Sequence, residues 1–151
     1  MDRLSKVFLL LAAVGVVVAL YHSYDEITSY TAPLSTVCNV NALFSCGSVF
    51  ASGDVNFPPG ANGIPLYVYG LIWFPLMVAL GLWFGARKGS LDSEVLFALL
   101  MVGNAFTVYL WYQELVVIHA LCPVCISMYL LNYGMTLIAG KAFIGSLRSQ
   151  P

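Results

Sequence analysis

His119-Ala120-Leu121-Cys122-Pro123-Val124-Cys125-Ile126-Ser127-Met128-Tyr129 stands at the head of an apolar run that continues to Gly140. Two thiols separated by two residues make a dithiol/disulfide switch or half of a metal site. Set at the mouth of a membrane helix, the pair points to electron exchange between protein thiols and something dissolved in lipid. A second pair, Cys38 and Cys46, lies in the longest stretch that cannot span a membrane. The rest of the chain reads as the means of holding the first pair and connecting it to the second.

Outward from this stretch, composition sets the class. Of 151 residues, 60% are hydrophobic and 9% charged, with a mean hydropathy of +0.88. Soluble domains carry about 25% charged residues, and so few charges cannot coat a soluble globule. A span needs roughly 20 apolar residues, and four runs reach that length, at about 7–24, 64–84, 91–112 and 116–140. The expected fold is an all-α integral membrane protein, a four-transmembrane-helix bundle. It forms a single membrane domain over 1–151 with a long extracytoplasmic loop at about 25–63 between helices 1 and 2. The net charge of −1 says nothing about nucleic acid, but with no basic patch in the sequence no nucleic-acid partner is expected. A monomer is expected.

Charge placement predicts orientation. The six basic residues, Arg3, Lys6, Arg87, Lys88, Lys141 and Arg148, all fall on one side of a four-helix topology. The other side carries Asp25, Glu26, Asp54 and Glu114. Positive residues stay cytoplasmic, so both termini are expected in the cytosol and every cysteine at the outer face of the cell membrane. Ala19-Leu20-Tyr21 lacks the small-x-small chemistry of a cleavage site, so the first run is expected to be a retained helix rather than a signal peptide.

Local signals place the remaining elements. Pro33 argues against helix 1 continuing far beyond Tyr24. Residues 39–50 read as partly helical, with Val40, Leu43, Phe44 and Phe50 turned to the membrane surface or the bundle mouth. Pro58-Pro59-Gly60 then turns the chain back into the bilayer. Pro65 suits the first turn of helix 2, and Pro75 falls mid-span. Asn104 and Thr107, one turn apart in helix 3, should face the bundle and join helices. Only a few residues around Gln113-Glu114 separate helices 3 and 4, which makes them antiparallel neighbours.

The chemistry of the cysteines leaves alternatives open. Outside the cytosol both pairs can be structural disulfides. A Cys-x-x-Cys ring, however, constrains little chain entropy, and its common use is redox, with a thiol at a helix N-terminus activated by that position. Four thiolates could hold zinc, although the spacing from Cys38 to Cys46 is wide for a knuckle. A haem held by His22 and His119 is a further arrangement. A membrane scaffold with structural disulfides or a zinc site is therefore the non-enzymatic alternative. Tyr129 follows Cys125 by four residues, so the two share a helix face.

The ordered set resembles the vitamin K epoxide reductase family in its bacterial and archaeal form. It comprises Cys38 and Cys46 in the first outer loop, then Val49-Phe50-Ala51-Ser52, and Gly63-Ile64-Pro65 entering helix 2. It ends with Cys122-Pro123-Val124-Cys125 leading helix 4, followed by Tyr129 and Asn132. The resemblance covers nearly the whole chain. It implies a catalytic relay through Cys38, Cys46, Cys122 and Cys125. Cys38 exchanges with a thioredoxin-like partner, Cys46 bridges transiently to Cys122, and Cys125 faces a quinone. It also implies that Phe50, Ser52, Tyr129 and Asn132 line the quinone site, with no metal. The acceptor would be a membrane quinone of ubiquinone or menaquinone type, and the relay would support disulfide formation outside the cytosol. Some members carry a fused thioredoxin-like domain; this chain ends at Pro151, so a separate partner protein is expected. The animal members place an asparagine at the start of helix 2, where this chain reads Ile64-Pro65-Leu66-Tyr67. That departure favours ordinary quinone reduction over epoxide reduction, which stands as the alternative activity.

Overall fold

Four long helices carry the chain back and forth: α1 (Arg3–Thr31), α3 (Leu66–Arg87), α4 (Ser90–Tyr112) and α5 (Pro123–Arg148), with the short α2 (Cys46–Ser52) between the first two. The computed structural model describes residues 3–31, 38–60, 62–87 and 90–148; Pro33, Val37 and Lys88 lie outside them. Spans long and apolar enough to cross a membrane run over Arg3–Ser29, Leu66–Trp83, Glu94–Ile118 and Pro123–Arg148. Helices suit this role because all their backbone donors and acceptors are satisfied within the segment. Their outward faces are apolar, as at Leu10, Val17, Val102 and Leu137, which are exposed on the bundle surface. Only isolated β-bridges, Phe44–Leu121 and Phe57–Ile64, occur among the described residues.

Packing in the bundle is uneven, and the unevenness positions the site. α1 packs chiefly on α3 and α5, and α4 on α5, whereas α3 and α4 touch little although they follow one another in the chain. The shared core includes Ala12, Ala19, Phe74, Met77, Leu100 and Met135. Small residues allow the helices to approach closely, which matters because lipid supplies no hydrophobic drive for helices to associate. Gly15 is the tightest case within the long helices: a Cβ there would lie 2.0 Å from the Phe74 ring. Phe74 is itself buried and lines the cavity between α3 and α4, so its ring can yield only by moving into that space. Gly15→Ala gains about 1 kcal/mol of helix propensity and loses about 1–3 to overpacking. Thermal unfolding in detergent should therefore show a lower melting temperature. A higher one means that the Phe74 ring moves aside freely.

Several element boundaries differ from the sequence expectation. Helix 1 runs to Thr31 rather than to about Tyr24. The polar residues on one face of the added turns are not solvated: Asp25, Glu26 and Ser29 are buried, and the contacts of Asp25 with Cys38 and of Glu26 with the Tyr67 N–H stabilise a helix that hydropathy alone would end. The turn expected around Gln113-Glu114 lies instead at 119–122. There, α4 continues into a π-helical turn, Gln113–Ile118, which ends at His119 in the left-handed conformation with φ 57°. Helix 4 accordingly begins at Pro123 rather than near Val116 and runs on to Arg148.

Candidate active site

Both cysteine pairs meet at one end of the bundle, held there by short-range interactions of the loop. Asn41 Oδ1 accepts the N–H groups of Leu43 and Phe44 at 2.9 and 2.8 Å, closing a tight turn. The next residues then pair with the segment ahead of α5: Leu121 N–H donates to Leu43 O at 2.7 Å and Ser45 N–H to Leu121 O at 3.0 Å. Ser45 caps α2, its hydroxyl accepting the Ser48 N–H at 3.2 Å. Gly53 ends α2 with φ 69°, a conformation that glycine adopts without a Cβ penalty. These constraints present Cys46, the first residue of α2, to the N-terminus of α5.

The four sulfurs form a chain. Cys38 and Cys46 are joined in a disulfide, with Cα atoms 5.7 Å apart. Cys46 Sγ lies 3.2 Å from Cys122 Sγ, and Cys122 and Cys125 are free thiols. Cys46, Cys122 and Cys125 are fully buried. Cys122 also caps α5: the Cys125 N–H points at Cys122 Sγ at 3.2 Å, with Pro123 at the first helical position, where its missing N–H costs nothing. Contact between a thiol and one sulfur of a disulfide is the geometry that thiol–disulfide exchange needs. A four-thiolate zinc site would require the bonded pair to be reduced.

Ionisable side chains surround this chain, and most were not picked out from the sequence. Glu114 is fully buried. Its Oε2 accepts the Cys122 N–H at 3.0 Å, and its Oε1 accepts the Tyr129 hydroxyl at 2.6 Å. The π-helical turn swings Glu114 inward, and its own carbonyl accepts the Ala120 N–H at 3.1 Å. Single π-turns recur at functional sites. From α1, His22 Nε2 lies 3.3 Å from Cys125 Sγ, Asp25 Oδ2 lies 3.1 Å from Cys38 Sγ, and Glu26 Oε2 accepts the Tyr67 N–H at 3.0 Å. An ionisable residue inside a span is by default a functional candidate. That signal was hidden because the hydropathy boundaries put Asp25, Glu26 and Glu114 in loops. His119, by contrast, is exposed, with its Nδ1 3.1 Å from Leu115 O.

A cavity of about 350 Å³ opens where α3 and α4 fail to close against each other. Its walls include Trp73, Phe74, Phe106, Met128, Tyr129 and Asn132. Tyr129 links it to the cysteine end, since the hydroxyl of this cavity-lining residue reaches the same carboxylate that holds the Cys122 N–H. Behind Asn132 runs a hydrogen-bonded line across three helices. Trp73 Nε1–H donates to Asn132 Oδ1 at 3.0 Å, Asn132 Nδ2–H to Asn104 Oδ1 at 2.6 Å, and Asn104 Nδ2–H to Thr136 Oγ1 at 3.0 Å. Phe50 and Ser52 are not among the cavity's lining residues. Phe50 is buried edge-on against His22, with ring centroids 5.1 Å apart. Ser52 lies at the end of α2, where its hydroxyl donates to Val49 O at 2.8 Å and accepts the Asp54 N–H at 3.1 Å.

Gly103 provides a test of the cavity wall. A Cβ on this residue would lie 2.4 Å from the Trp73 indole. Gly103→Ala should therefore displace Trp73 from Asn132 and quench or shift its fluorescence. A spectrum identical to that of the wild type would show that the wall is soft.

A buried thiol chain beside an apolar cavity has a counterpart among known proteins. The chain is 29% identical over 112 residues to mouse vitamin K epoxide reductase complex subunit 1, a stretch covering 68% of this chain and 67% of the relative. The model of the vitamin K epoxide reductase family matches residues 6–139. Since that match takes in both cysteine pairs and the greater part of every span, the chain belongs to the vitamin K epoxide reductase family and is a multi-pass membrane redox enzyme.

Proposed function

We propose that the protein is a quinone-dependent thiol oxidoreductase, taking electrons from a thioredoxin-like protein outside the cytosol and delivering them to a membrane quinone of ubiquinone or menaquinone type. In the net reaction a partner dithiol becomes a disulfide while the quinone gains two electrons and two protons to become the quinol. The observation that carries this reading is the 3.2 Å contact between Cys46 and Cys122, with the outer pair bonded and the inner pair reduced. That is the distribution expected after the loop has passed its electrons inward.

Each pair has its own task. Cys38 meets the partner, Cys46 and Cys122 form the transient bridge, and Cys125 faces the acceptor. The ring of an apolar quinone fits the cavity between α3 and α4, with Tyr129 and Asn132 as its polar contacts. In the described state the Tyr129 proton is committed to Glu114, so Tyr129 can donate to a quinone oxygen only when Glu114 releases it. Phe50 and Ser52 act from the loop side, shaping the approach of α2 to the sulfurs. The basic residues keep both termini cytoplasmic, which leaves the cysteine end on the outer face.

The test is turnover of a soluble short-chain quinone by purified protein supplied with a reduced dithiol protein. Quinol should form in step with partner disulfide. Absence of quinol formation under conditions where the loop disulfide is reduced sinks the proposal. The likeness to the mouse protein favours a second reading, in which a quinone epoxide is the acceptor; the same assay with an epoxide substrate decides between them.

A further inference from the structure

The mechanism above leaves two fully buried groups of α1 unused. His22 and Glu26 are both completely enclosed and lie one helical turn apart. His22 Nε2 faces Cys125 Sγ at 3.3 Å. Its other nitrogen, Nδ1, has no hydrogen-bond partner but lies 3.7 Å from Glu26 Oε2. A buried polar atom without a partner is destabilising, so a histidine kept in this setting calls for a use. The Phe50 ring packs edge-on against the imidazole and restricts its rotation. Glu26 is held by the Tyr67 N–H at the start of α3. Nucleophile, base and orienting acid are thus in sequence, the arrangement by which a thiol is activated through an adjacent imidazole.

We propose that His22 is the proton acceptor for Cys125, a catalytic residue of the inner pair, and that Glu26 is the positioning residue that stabilises the imidazolium. Burial opposes standing charge separation between thiolate and imidazolium. The proton therefore moves as the sulfur gives up its electron pair, not beforehand. The Cys125 S–H bond breaks, an N–H bond forms at His22 Nε2, and the neutral tautomer requires its existing proton on Nδ1, facing Glu26. As the two thiols close to a disulfide, two electrons and two protons pass to the quinone, the Cys125 proton by way of His22, which is left neutral. In the inward step the direction reverses. When the Cys46 sulfur attacks Cys122 of a closed inner disulfide, Cys125 leaves as a thiolate and takes up, through His22, the proton that the Cys46 thiol gives up.

This inference rests on the quinone-reductase reading for the identity of the acceptor, not for the proton transfer itself. It gives the two inner sulfurs different partners: Cys125 meets His22, whereas Cys122 is tied through its N–H to Glu114. The other titratable groups around the pair are Asp25 against Cys38 and Tyr129 against Glu114.

The experiment alkylates the fully reduced, full-length protein in detergent with iodoacetamide at fixed neutral pH, without quinone, and resolves Cys122 from Cys125 by peptide mass spectrometry. His22→Gln should slow alkylation of Cys125 by about tenfold or more while leaving Cys122 within about twofold of wild type. Glu26→Gln should slow Cys125 about threefold, with Cys122 again unaffected. An unchanged Cys125 rate in His22→Gln, or equal slowing of both cysteines, overturns the proposal, the latter by revealing a purely structural role. A protein that shows the selective effect yet reduces no quinone keeps the base and loses the acceptor.

Discussion

Cys125→Ala is expected to abolish thiol-driven quinone reduction, with a loss on the order of 10³-fold or more, because residues that act as a unit fail together. The inner pair then has no resolving thiol, and Cys122 is left in contact with Cys46 at 3.2 Å. Removing Cys38 as well eliminates the outer resolving thiol. The Cys38→Ala/Cys125→Ala protein should therefore accumulate a Cys46–Cys122 bridge on mild oxidation, seen as a cross-linked peptide by mass spectrometry under non-reducing conditions. A full rate in Cys125→Ala removes Cys125 from the redox centre. Failure of the double variant to bridge means that the 3.2 Å contact is not the exchange path.

Glu114→Ala carries the second large effect, and it acts on the fold and the site together. The substitution orphans the Cys122 N–H and the Tyr129 hydroxyl, both buried and both bonded to this carboxylate. At about 1–3 kcal/mol for each unsatisfied group, the sum is on the order of 2–6 kcal/mol. The π-helical turn loses its inward anchor at the same time, and with it the register of Cys122 against Cys46. Thermal unfolding should shift markedly downward, and quinone turnover should fall about 100-fold or more even at temperatures where the protein remains folded. Glu114→Gln keeps an acceptor and part of the geometry, so it should fall between wild type and Glu114→Ala on both measures. If the alanine variant melts and turns over like wild type, the carboxylate is a bystander.

The local signals and the packed site differ in how well they could be read in advance. Runs of apolar residues specify spans because the bilayer imposes one length on every helix, and the four spans follow from that. Their ends were harder. Hydropathy stops α1 at polar residues that the bundle in fact buries, and it breaks α4 at Glu114, which the structure carries through a π-turn into the interior. Each discrepancy arises from the same cause. A polar residue with a partner costs little to bury, and the partner comes from another helix that no local window contains. Asp25, Glu26 and Glu114 escape notice as site residues for this reason, and His22 stands out in the sequence only as a haem ligand. Asn104 was legible: a lone amide mid-span must face a neighbouring helix, and it meets Asn132 and Thr136.

By itself the sequence determined the all-helical class, the order of four spans, and the placement of Cys122 and Cys125 at a helix mouth with Cys38 and Cys46 in the preceding loop. These are properties of composition and short-range spacing, which survive any rotation of the helices. Only the tertiary structure decided that Cys46 touches Cys122, that His22 rather than His119 reaches Cys125, and that the cavity lies between α3 and α4. Those facts depend on helix rotation, on a single π-turn and on which helix pairs pack closely. Such features follow from close packing among small residues such as Gly15 and Gly103 and from hydrogen bonds between distant residues, and neither is visible along the chain.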